Sequence, residues 1–225
     1  MTDLGRKALG ALLVLMLVMA ALTFGPAGTV DYWQGWMFLA VYFAASLGVT
    51  LYLIKRDPKL LERRMRGGPS AEKEPAQRII MLLASLGFIG LIVVSAFDHR
   101  FAWSRVPPAV ALAGDALVIL GWAAIIVVFR ENSYTSATIE VAPGQQVIST
   151  GPYALVRHPM YAGALVMLLG IPIALGSWWG LLALAAMMPA LIWRLLDEEK
   201  FLARNLPGYA EYQEKVRYRL IPLVW

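Results

Sequence analysis

Long apolar stretches, separated by short polar segments, make up most of this chain. Six stretches approach the roughly 20 residues that an α-helix needs to cross the hydrocarbon core of a bilayer. They cover residues 8–24, 32–54, 79–97, 109–129, 159–175 and 178–195. Tyr32, Trp33 and Trp36 begin the second stretch, as aromatic residues often do at a membrane interface. The pattern predicts an all-α integral membrane protein with about six transmembrane helices.

The last two apolar stretches are separated only by Gly176 and Ser177. Such a short connection predicts a tight helical hairpin, which leaves one face of the membrane and returns to the same face. Pro172 and Pro189 lie inside the two helices. Because proline removes a backbone hydrogen bond and crowds the preceding turn, we expect it to kink both helices. The hairpin brings the polar residues that precede it close to those that follow it.

The basic residues divide the connecting segments into two classes. If the N-terminus is cytoplasmic, only Arg100 and Arg105 of the 20 Lys and Arg residues fall on the outer side. This asymmetry follows the positive-inside rule, which sets the orientation of membrane proteins. We therefore expect a multi-pass protein whose N-terminus, C-terminus and polar functional residues all lie on the cytoplasmic side.

The composition supports a membrane protein and excludes several kinds of site. Apolar residues make up 59% of the chain and charged residues 16%, whereas soluble domains have roughly half and a quarter. The absence of Cys excludes disulfides, thiolate metal sites and a cysteine nucleophile. His99 and His158 are predicted on opposite sides of the membrane, so we expect no histidine metal site. Nothing in the sequence indicates a nucleic-acid partner.

Two longer polar segments connect the apolar stretches on the predicted cytoplasmic side. Residues 55–77 are basic and interrupted by Gly and Pro, and we interpret them mainly as a solvated loop attracted to anionic lipid. Residues 130–157 contain stretches that look extended, on either side of a turn at Pro143 and Gly144. After residue 130 the polar residues form three clusters, at residues 145–153, 157–161 and 194–201. Any chemistry is expected there.

The second cluster, RHPMY, begins the fifth apolar stretch. Proline suits the first turn of a helix, so His158 and Pro159 predict a helix start. The free N–H groups and the dipole of a helix start favour an anion. Arg157 adds a permanent positive charge that can bind a carboxylate in bidentate fashion, and Tyr161 adds a hydroxyl one turn later. A simpler interpretation is that these residues end a loop and contact lipid head groups.

The third cluster, RLLDEEKF, ends the sixth apolar stretch. Arg194 and Glu198 are four residues apart and therefore share one face of a helix. Asp197 and Glu199 add two further negative charges next to the membrane surface. A carboxylate here could hold a cationic or hydroxyl-bearing ligand, and Arg194 could hold an anionic one. A surface ion pair beside a solvated acidic turn is the alternative interpretation.

The order of these motifs resembles that of a known family. GPYALVRHPMY, the hairpin, RLLDEEKFL and LPGYAEYQEKV resemble the isoprenylcysteine carboxyl methyltransferases, and integral membrane phospholipid methyltransferases share much of the pattern. The resemblance covers residues 132–222. It implies an S-adenosyl-L-methionine-dependent methyltransferase without a Rossmann fold, with a cytoplasmic cofactor pocket closed by the C-terminal segment. It also implies a transmembrane scaffold of four spans in residues 1–130 and a catalytic region in residues 131–225.

The resemblance assigns roles to individual residues. Cofactor binding falls to Gln145, Gln146, Val147, Ile148, Tyr153, His158, Pro159, Met160, Tyr161 and either Glu198 or Glu199. Arg194 matches a substrate-orienting arginine, and Arg157 matches an essential arginine of less defined role. There are departures from the family pattern. Gln145 stands where a histidine is often found, and if Glu199 is the matching acid, Arg194 falls out of register.

The chemistry of methyl transfer suits these residue types. The carboxylate of the donor fits a helix start beside His158, and its ammonium or ribose hydroxyls fit a glutamate. Transfer between two bound molecules depends mainly on alignment. A carboxylate acceptor is already ionised and needs only an arginine to orient it. An amine acceptor must lose a proton, which Glu198, Glu199 or Tyr161 could take. We therefore expect a lipophilic acceptor that enters from the bilayer, most simply a carboxylate of isoprenylcysteine type.

Other functions stay open at this point. A phospholipid amine or a small thiol could be the acceptor, and a non-catalytic scaffold could retain the pocket without turnover. A transporter is disfavoured, because Asp115 is the only acidic residue within the first five predicted spans. In the tail, Tyr209, Tyr212 and Val216 recur at helical spacing and predict an amphipathic helix, either a lid over the cofactor or a plain interfacial helix.

Overall fold

The computed structural model describes residues 2–72 and 74–225, and helices are the only regular structure in these ranges. The eight α-helices are α1 Asp3–Ala27, α2 Trp33–Arg56, α3 Pro58–Met65, α4 Pro75–Phe101, α5 Pro108–Glu131, α6 Pro159–Ala174, α7 Trp179–Asn205 and α8 Tyr209–Lys215. Two short 3-10 helices cover Pro69–Ala71 and Gly151–Ala154. The prediction of an all-α integral membrane protein is confirmed. The stretches in 130–157 that looked extended form turns and irregular backbone instead of strands.

Five helices, α1, α2, α4, α5 and α7, are long and apolar enough to cross a membrane. The remaining apolar helix, α6, has 16 residues. At 1.5 Å per residue it is ~24 Å long, which is less than the ~30 Å hydrocarbon core of a bilayer. The six predicted spans are therefore five full-length helices and one shorter helix.

Proline marks the start of four of these helices, α3, α4, α5 and α6. The first turn of a helix has N–H groups without partners, so proline costs nothing there and fixes the backbone angle. The hairpin between α6 and α7 turns at Gly176, whose φ of 71° is in the left-handed region that glycine adopts without strain. Helix α7 continues to Asn205, and the acidic cluster therefore lies on regular helix.

Helix α6 packs directly against the backbone of α5. A Cβ atom at Gly114 would lie 2.2 Å from the backbone nitrogen of Ala174, and one at Gly121 would lie 2.5 Å from Cβ of Met167. Small residues allow two transmembrane helices this close approach. Helix α5 thereby fixes the position of α6, which carries RHPMY at its start.

The bundle is held together differently at its two ends. At the hairpin end, Tyr32 donates a hydrogen bond to the carbonyl of Leu175 at 2.6 Å, and Asp98 accepts hydrogen bonds from Ser104 and Ser177. Exposed tryptophans ring this end, as expected at a membrane interface. They are Trp33, Trp36, Trp103, Trp178 and Trp179. The opposite end contains the start of α6, the end of α7 and most of the basic residues, and it also contains the candidate site.

The interpretation of residues 55–77 as a solvated loop is wrong. Asp57 caps the start of α3 by accepting a hydrogen bond from the backbone of Leu60 at 3.0 Å. Leu60 and Leu61 are buried in an apolar cluster with residues of α1, α2 and α5, which fixes this short helix to the bundle. Glu72 is also buried, at 2% exposed. The segment therefore forms part of the wall of the candidate site.

Candidate active site

A cavity of about 730 Å³ lies at the end of the bundle where α6 begins. One part is polar. It is lined by the segment between α5 and α6, by the first turn of α6, by the last turns of α7, and by helix α8. The other part is apolar and runs between α1, α2, α4, α5 and α6. Its lining includes Leu12, Val49, Phe88, Ile125 and Met167. A ligand with a polar head and an apolar body fits such a division.

Nearly all the residues singled out from the sequence line this cavity. They are Gln145, Gln146, Val147, Ile148, Tyr153, Arg157, His158, Pro159, Met160, Tyr161, Arg194 and Glu198. Glu199 is the exception, because its side chain is buried away from the cavity. The hairpin thus brings the second and third clusters together, as the sequence predicted.

Glu199 is the centre of a buried charge cluster. Its Oε1 lies 2.7 Å from Nε of Arg157 and 3.2 Å from Nε2 of His158, and its Oε2 lies 2.9 Å from Nε of Arg219. A buried carboxylate needs such partners, since an unpaired charge in the interior is strongly unfavourable. Glu199 therefore joins the start of α6, the end of α7 and the tail.

The tail is bonded to the start of α6 through the backbone as well. The N–H groups of Arg157 and His158 donate to the carbonyls of Tyr218 and Arg219, both at 2.9 Å. Tyr212 donates from its hydroxyl to the carbonyl of Tyr153 at 2.8 Å. Desolvation by burial raises the pKa of Tyr212 to about 12, so the hydroxyl keeps its proton at neutral pH. The tail therefore covers the polar part of the cavity.

The first turn of α6 still offers hydrogen-bond donors to a ligand. Pro159 has no N–H group. The N–H groups of Met160 and Tyr161 lie in the first turn of the helix, where no preceding turn supplies a carbonyl acceptor. His158 lies beside them, with its ring 5.6 Å from that of Tyr161 in an edge-on arrangement. An anion at this position would meet two N–H groups and the positive end of the helix dipole.

Glu198 faces the cavity, in contrast to Glu199. Its Oε2 accepts a hydrogen bond from the hydroxyl of Tyr161 at 2.6 Å, and the side chain is half-buried. Consecutive residues of an α-helix point about 100° apart, so the two carboxylates of α7 face different surroundings. The geometry favours Glu198 as the carboxylate available to a ligand.

Arg194 is held by residues that the sequence did not single out. Its Nη1 lies 2.9 Å from Oε1 of Glu72 and donates to Oε1 of Gln77 at 3.1 Å. Its Nη2 donates to the carbonyl of Ala137 at 3.0 Å. Glu72 in turn accepts a hydrogen bond from the backbone of Ile139 at 3.3 Å. The pair thus fastens the segment after α5 to α7.

Arg64 is a further lining residue that sequence reasoning missed. It lies on α3, and its Nη1 donates to the carbonyl of Ser136 at 2.9 Å and lies 3.6 Å from Sδ of Met160. Its Cζ is 5.3 Å from the centre of the Phe129 ring. Burial lowers the pKa of Arg64, but an arginine starts so high that it stays protonated at neutral pH. Because Arg64 lies in a segment rich in basic residues, the sequence alone did not indicate that it lines the cavity.

The segment after α5 supplies the remaining polar wall. Asn132 donates from its side-chain amide to the hydroxyl of Tyr153 at 3.0 Å. Gln145 accepts from the backbone of Ala142 at 2.9 Å and so closes the turn before Gln146. Burial raises the pKa of Tyr153, whose hydroxyl is therefore neutral. This wall presents amides and hydroxyls, which suit a polar ligand without net charge along most of its length.

Residues 110–207 match the family model of the phospholipid methyltransferases. The match runs from α5 to the start of the tail and includes most of the polar lining of the cavity, but not Arg64. The resemblance to membrane methyltransferases that the motifs indicated is thereby confirmed. The matched part makes up less than half of the chain.

Two curated proteins are similar to parts of this chain. It is 33% identical over 91 residues to Delta(14)-sterol reductase TM7SF2 of Mus musculus, which is 39% of this chain and 22% of that protein. It is 31% identical over 111 residues to the cobalt-zinc-cadmium resistance protein CzcN of Cupriavidus metallidurans, which is 46% of this chain and 44% of that protein. The chain thus spans less than half the length of both relatives. Within residues 2–72 and 74–225, no three His, Asp or Glu side chains are grouped to hold a metal ion.

Proposed function

We propose that this protein is a membrane methyltransferase that uses S-adenosyl-L-methionine as donor and methylates a lipophilic acceptor. One observation carries the proposal: a single cavity joins the polar residues of the methyltransferase motifs to an apolar compartment between the helices. The match of residues 110–207 to the phospholipid methyltransferases supports it. Since basic residues cluster at this end of the bundle, we propose that the cavity faces the cytoplasm.

The residues present fit the donor. The N–H groups of Met160 and Tyr161, with His158 beside them, suit its carboxylate. Glu198 suits its ammonium group or its ribose hydroxyls, and the segment Gln145–Ile148 with Tyr153 suits the adenosine. When bound, the donor supplies an electrophilic methyl group on a sulfonium sulfur. The cavity volume of about 730 Å³ is sufficient for a polar ligand of this size together with the end of an apolar one.

The chain acts mainly by alignment. Helix α6 is fixed against α5, so the ligands held at its start have a defined orientation relative to the apolar compartment. Holding two reactants in line removes much of the entropic barrier to transfer. The tail, bonded to Arg157 and His158, excludes water from the polar part. We therefore propose that α8 and the tail act as a lid.

The acceptor that fits most simply is a lipophilic carboxylate of isoprenylcysteine type, because it needs no base. A specific observation supports a second acceptor class, a phospholipid amine. The hydroxyl of Tyr161 and the carboxylate of Glu198 are paired at 2.6 Å on the cavity wall, and a carboxylate there can take the proton that an amine loses. The family description also names phospholipids.

Calorimetric titration of the purified protein with S-adenosylmethionine and S-adenosylhomocysteine tests the donor site. The wild type should bind both saturably, in detergent and in lipid nanodiscs. His158→Ala and Glu198→Ala should weaken binding about tenfold or more, as expected when a hydrogen bond to a charged group is lost. Glu211→Ala is the matched control, since Glu211 is exposed on α8 and should leave affinity unchanged.

Failure of the folded wild type to bind either nucleotide, in both environments, would overturn the proposal. Saturable binding followed by no methyl transfer to farnesylcysteine or phosphatidylethanolamine acceptors would instead favour a non-catalytic scaffold that retains the pocket. NADPH belongs in the same titrations, because one relative is a sterol reductase. Binding of NADPH in place of S-adenosylmethionine would favour a reductase.

A further inference from the structure

Three arginines line the cavity, and they differ in their partners. Arg157 is paired with Glu199 at 2.7 Å, and Arg194 is paired with Glu72 at 2.9 Å. Arg64, in contrast, has no carboxylate of residues 2–72 or 74–225 within salt-bridge distance. The charge of Glu198 acts on Arg64 from beyond that distance. A half-buried guanidinium without a directly paired carboxylate is unusual, because a charge that leaves water normally acquires one.

Arg64 also has donors to spare. A guanidinium carries five N–H groups in a planar fork. In Arg64 only Nη1 is engaged, with the carbonyl of Ser136 and with Met160, among contacts to the described residues. Nε and Nη2 make no hydrogen bond to that part of the chain. These groups can therefore bind a carboxylate or a phosphate in the bidentate manner typical of arginine.

The location of Arg64 is equally specific. One side of the guanidinium touches Met160, in the first turn of α6 where the donor is proposed to bind. The other side lies over the ring of Phe129, which belongs to the apolar compartment. Arg64 therefore stands where the polar and apolar parts of the cavity meet. A lipid whose chain fills the apolar compartment would bring its head group to this point.

We propose that Arg64 binds the anionic group of the acceptor and so selects a lipophile that carries one negative charge at the end of its apolar chain. This inference rests on the proposed function and deepens it. The charge is a carboxylate in an isoprenylcysteine acceptor and a phosphate in a phospholipid acceptor, and the guanidinium suits both. The role expected for Arg194 from the sequence thereby passes to Arg64, and Arg194 becomes a positioning residue held by Glu72.

Equilibrium binding of matched lipid pairs to protein in an uncharged detergent tests the proposal. The first pair is N-acetyl-S-farnesylcysteine and its neutral methyl ester. The second is a 16-carbon lysophosphatidylethanolamine and the corresponding neutral monoacylglycerol. Each pair is measured with the wild type, Arg64→Gln, Arg64→Lys and Arg66→Gln. Arg66 is the control, because it lies just after α3, is exposed and is paired with Glu62.

The wild type should prefer the charged member of at least one pair, and the pair concerned identifies the acceptor class. Arg64→Gln should weaken binding of that charged lipid about tenfold or more, as for a lost hydrogen bond to a charged group. Binding of the neutral lipid should change less than about twofold, since it carries no charge for Arg64 to bind. Binding of S-adenosylhomocysteine should weaken less than that of the charged lipid, since its carboxylate is proposed to be held by the N–H groups of Met160 and Tyr161. Arg66→Gln should match the wild type in all measurements.

Three results would overturn the proposal. They are a wild type that shows no preference for either charged lipid, an Arg64→Gln variant that loses charged and neutral lipids equally, and one that loses S-adenosylhomocysteine as strongly as the charged lipid. If Arg64→Gln does not fold, Arg64→Lys decides: lysine cannot bind a carboxylate or phosphate in bidentate fashion, so the preference for the charged lipid should fall, and an unchanged preference would overturn the proposal. The lipid preference is also measured in the absence of nucleotide. If the protein binds no S-adenosylhomocysteine, the donor proposal is refuted, and the lipid preference still tests the role of Arg64.

Discussion

Two charge clusters on the same pair of helices have opposite characters. The cluster around Glu199 is closed: its carboxylate is buried and has three basic partners within 3.2 Å. The cluster around Glu198 is open: its carboxylate faces the cavity and accepts one hydrogen bond, from Tyr161. Arg64 belongs to the open side, since it too faces the cavity without a carboxylate partner among the described residues. A charged side chain whose partners are all supplied by the protein helps to hold the fold. A charged side chain with few such partners can bind a ligand.

The comparison predicts that the closed cluster governs stability. Glu199→Ala leaves Arg157, His158 and Arg219 without their common partner in a buried site. Breaking one side of a buried ion pair typically costs about 3–5 kcal/mol, so the apparent Tm should fall markedly. Differential scanning fluorimetry in detergent measures this, with Glu214→Ala, at an exposed position of α8, as the control. An unchanged Tm would show that Glu199 does not hold the tail in place.

Arg219→Gln breaks the same cluster at its more exposed member. The side chain of Arg219 is 31% exposed, so solvent screens part of its pairing with Glu199 at 2.9 Å. A hydrogen bond to a charged group is worth about 1.5–3 kcal/mol when buried. We expect the free energy of unfolding to fall by the lower part of this range in Arg219→Gln. The Tm should fall less than in Glu199→Ala, and S-adenosylhomocysteine should dissociate faster because the lid is loosened. Stopped-flow dissociation tests this, and an unchanged rate would contradict a lid role for the tail.

Glu198→Gln is the converse experiment on the open cluster. The amide keeps the size of the side chain and removes the charge that faces the cavity. Nucleotide affinity should fall about tenfold, while the free energy of unfolding of the nucleotide-free protein should stay within about 1 kcal/mol of the wild type, so its Tm should change little. Calorimetry and fluorimetry on the same sample separate the two quantities. A large fall in Tm without a change in affinity would reverse the assignment of the two glutamates.

Tyr161→Phe should give the smallest effect. It removes the hydroxyl that bonds Glu198 at 2.6 Å and leaves the ring against His158. A hydrogen bond to a charged group contributes about 1.5–3 kcal/mol when buried and less at this half-buried carboxylate, which predicts a rate reduced about two- to tenfold with affinity for the nucleotide largely kept. Initial rates with a carboxylate and with an amine acceptor sharpen the interpretation. A loss confined to the amine would indicate that this pair accepts the proton.

Much of this molecule could be predicted from the sequence, because its main signals are local. Apolar length located the helices, and the two-residue connection at Gly176 and Ser177 predicted the hairpin. The hairpin then implied that RHPMY and the acidic cluster meet, which contacts such as Tyr161 with Glu198 confirm. The roles given to these residues in binding the donor stay predictions.

The features that the sequence did not predict depend on long-range packing. The choice between Glu198 and Glu199 rests on the rotation of α7 about its axis, which charge spacing alone does not give. Arg64 and Glu72 lie in a segment whose basic composition suggested solvent exposure. Asp57 followed by Pro58 was a usable signal, since an N-cap before a proline marks a helix start. Two leucines in the next turn then indicated that this helix has a buried face.

The short length of α6 has a consequence for how lipids reach the site. Tryptophans around the hairpin end anchor that end at one membrane interface. A helix of ~24 Å whose C-terminal end lies there has its start roughly 6 Å short of the opposite interface of a ~30 Å hydrocarbon core. The start of α6 is therefore recessed below the level of the surrounding lipid head groups, and tilt would recess it further. A lipid of the adjacent leaflet then need not be lifted out of that leaflet to reach the polar part of the cavity. Hydrophobic mismatch makes bilayer thickness a variable that sets how readily the lipid head group reaches this part.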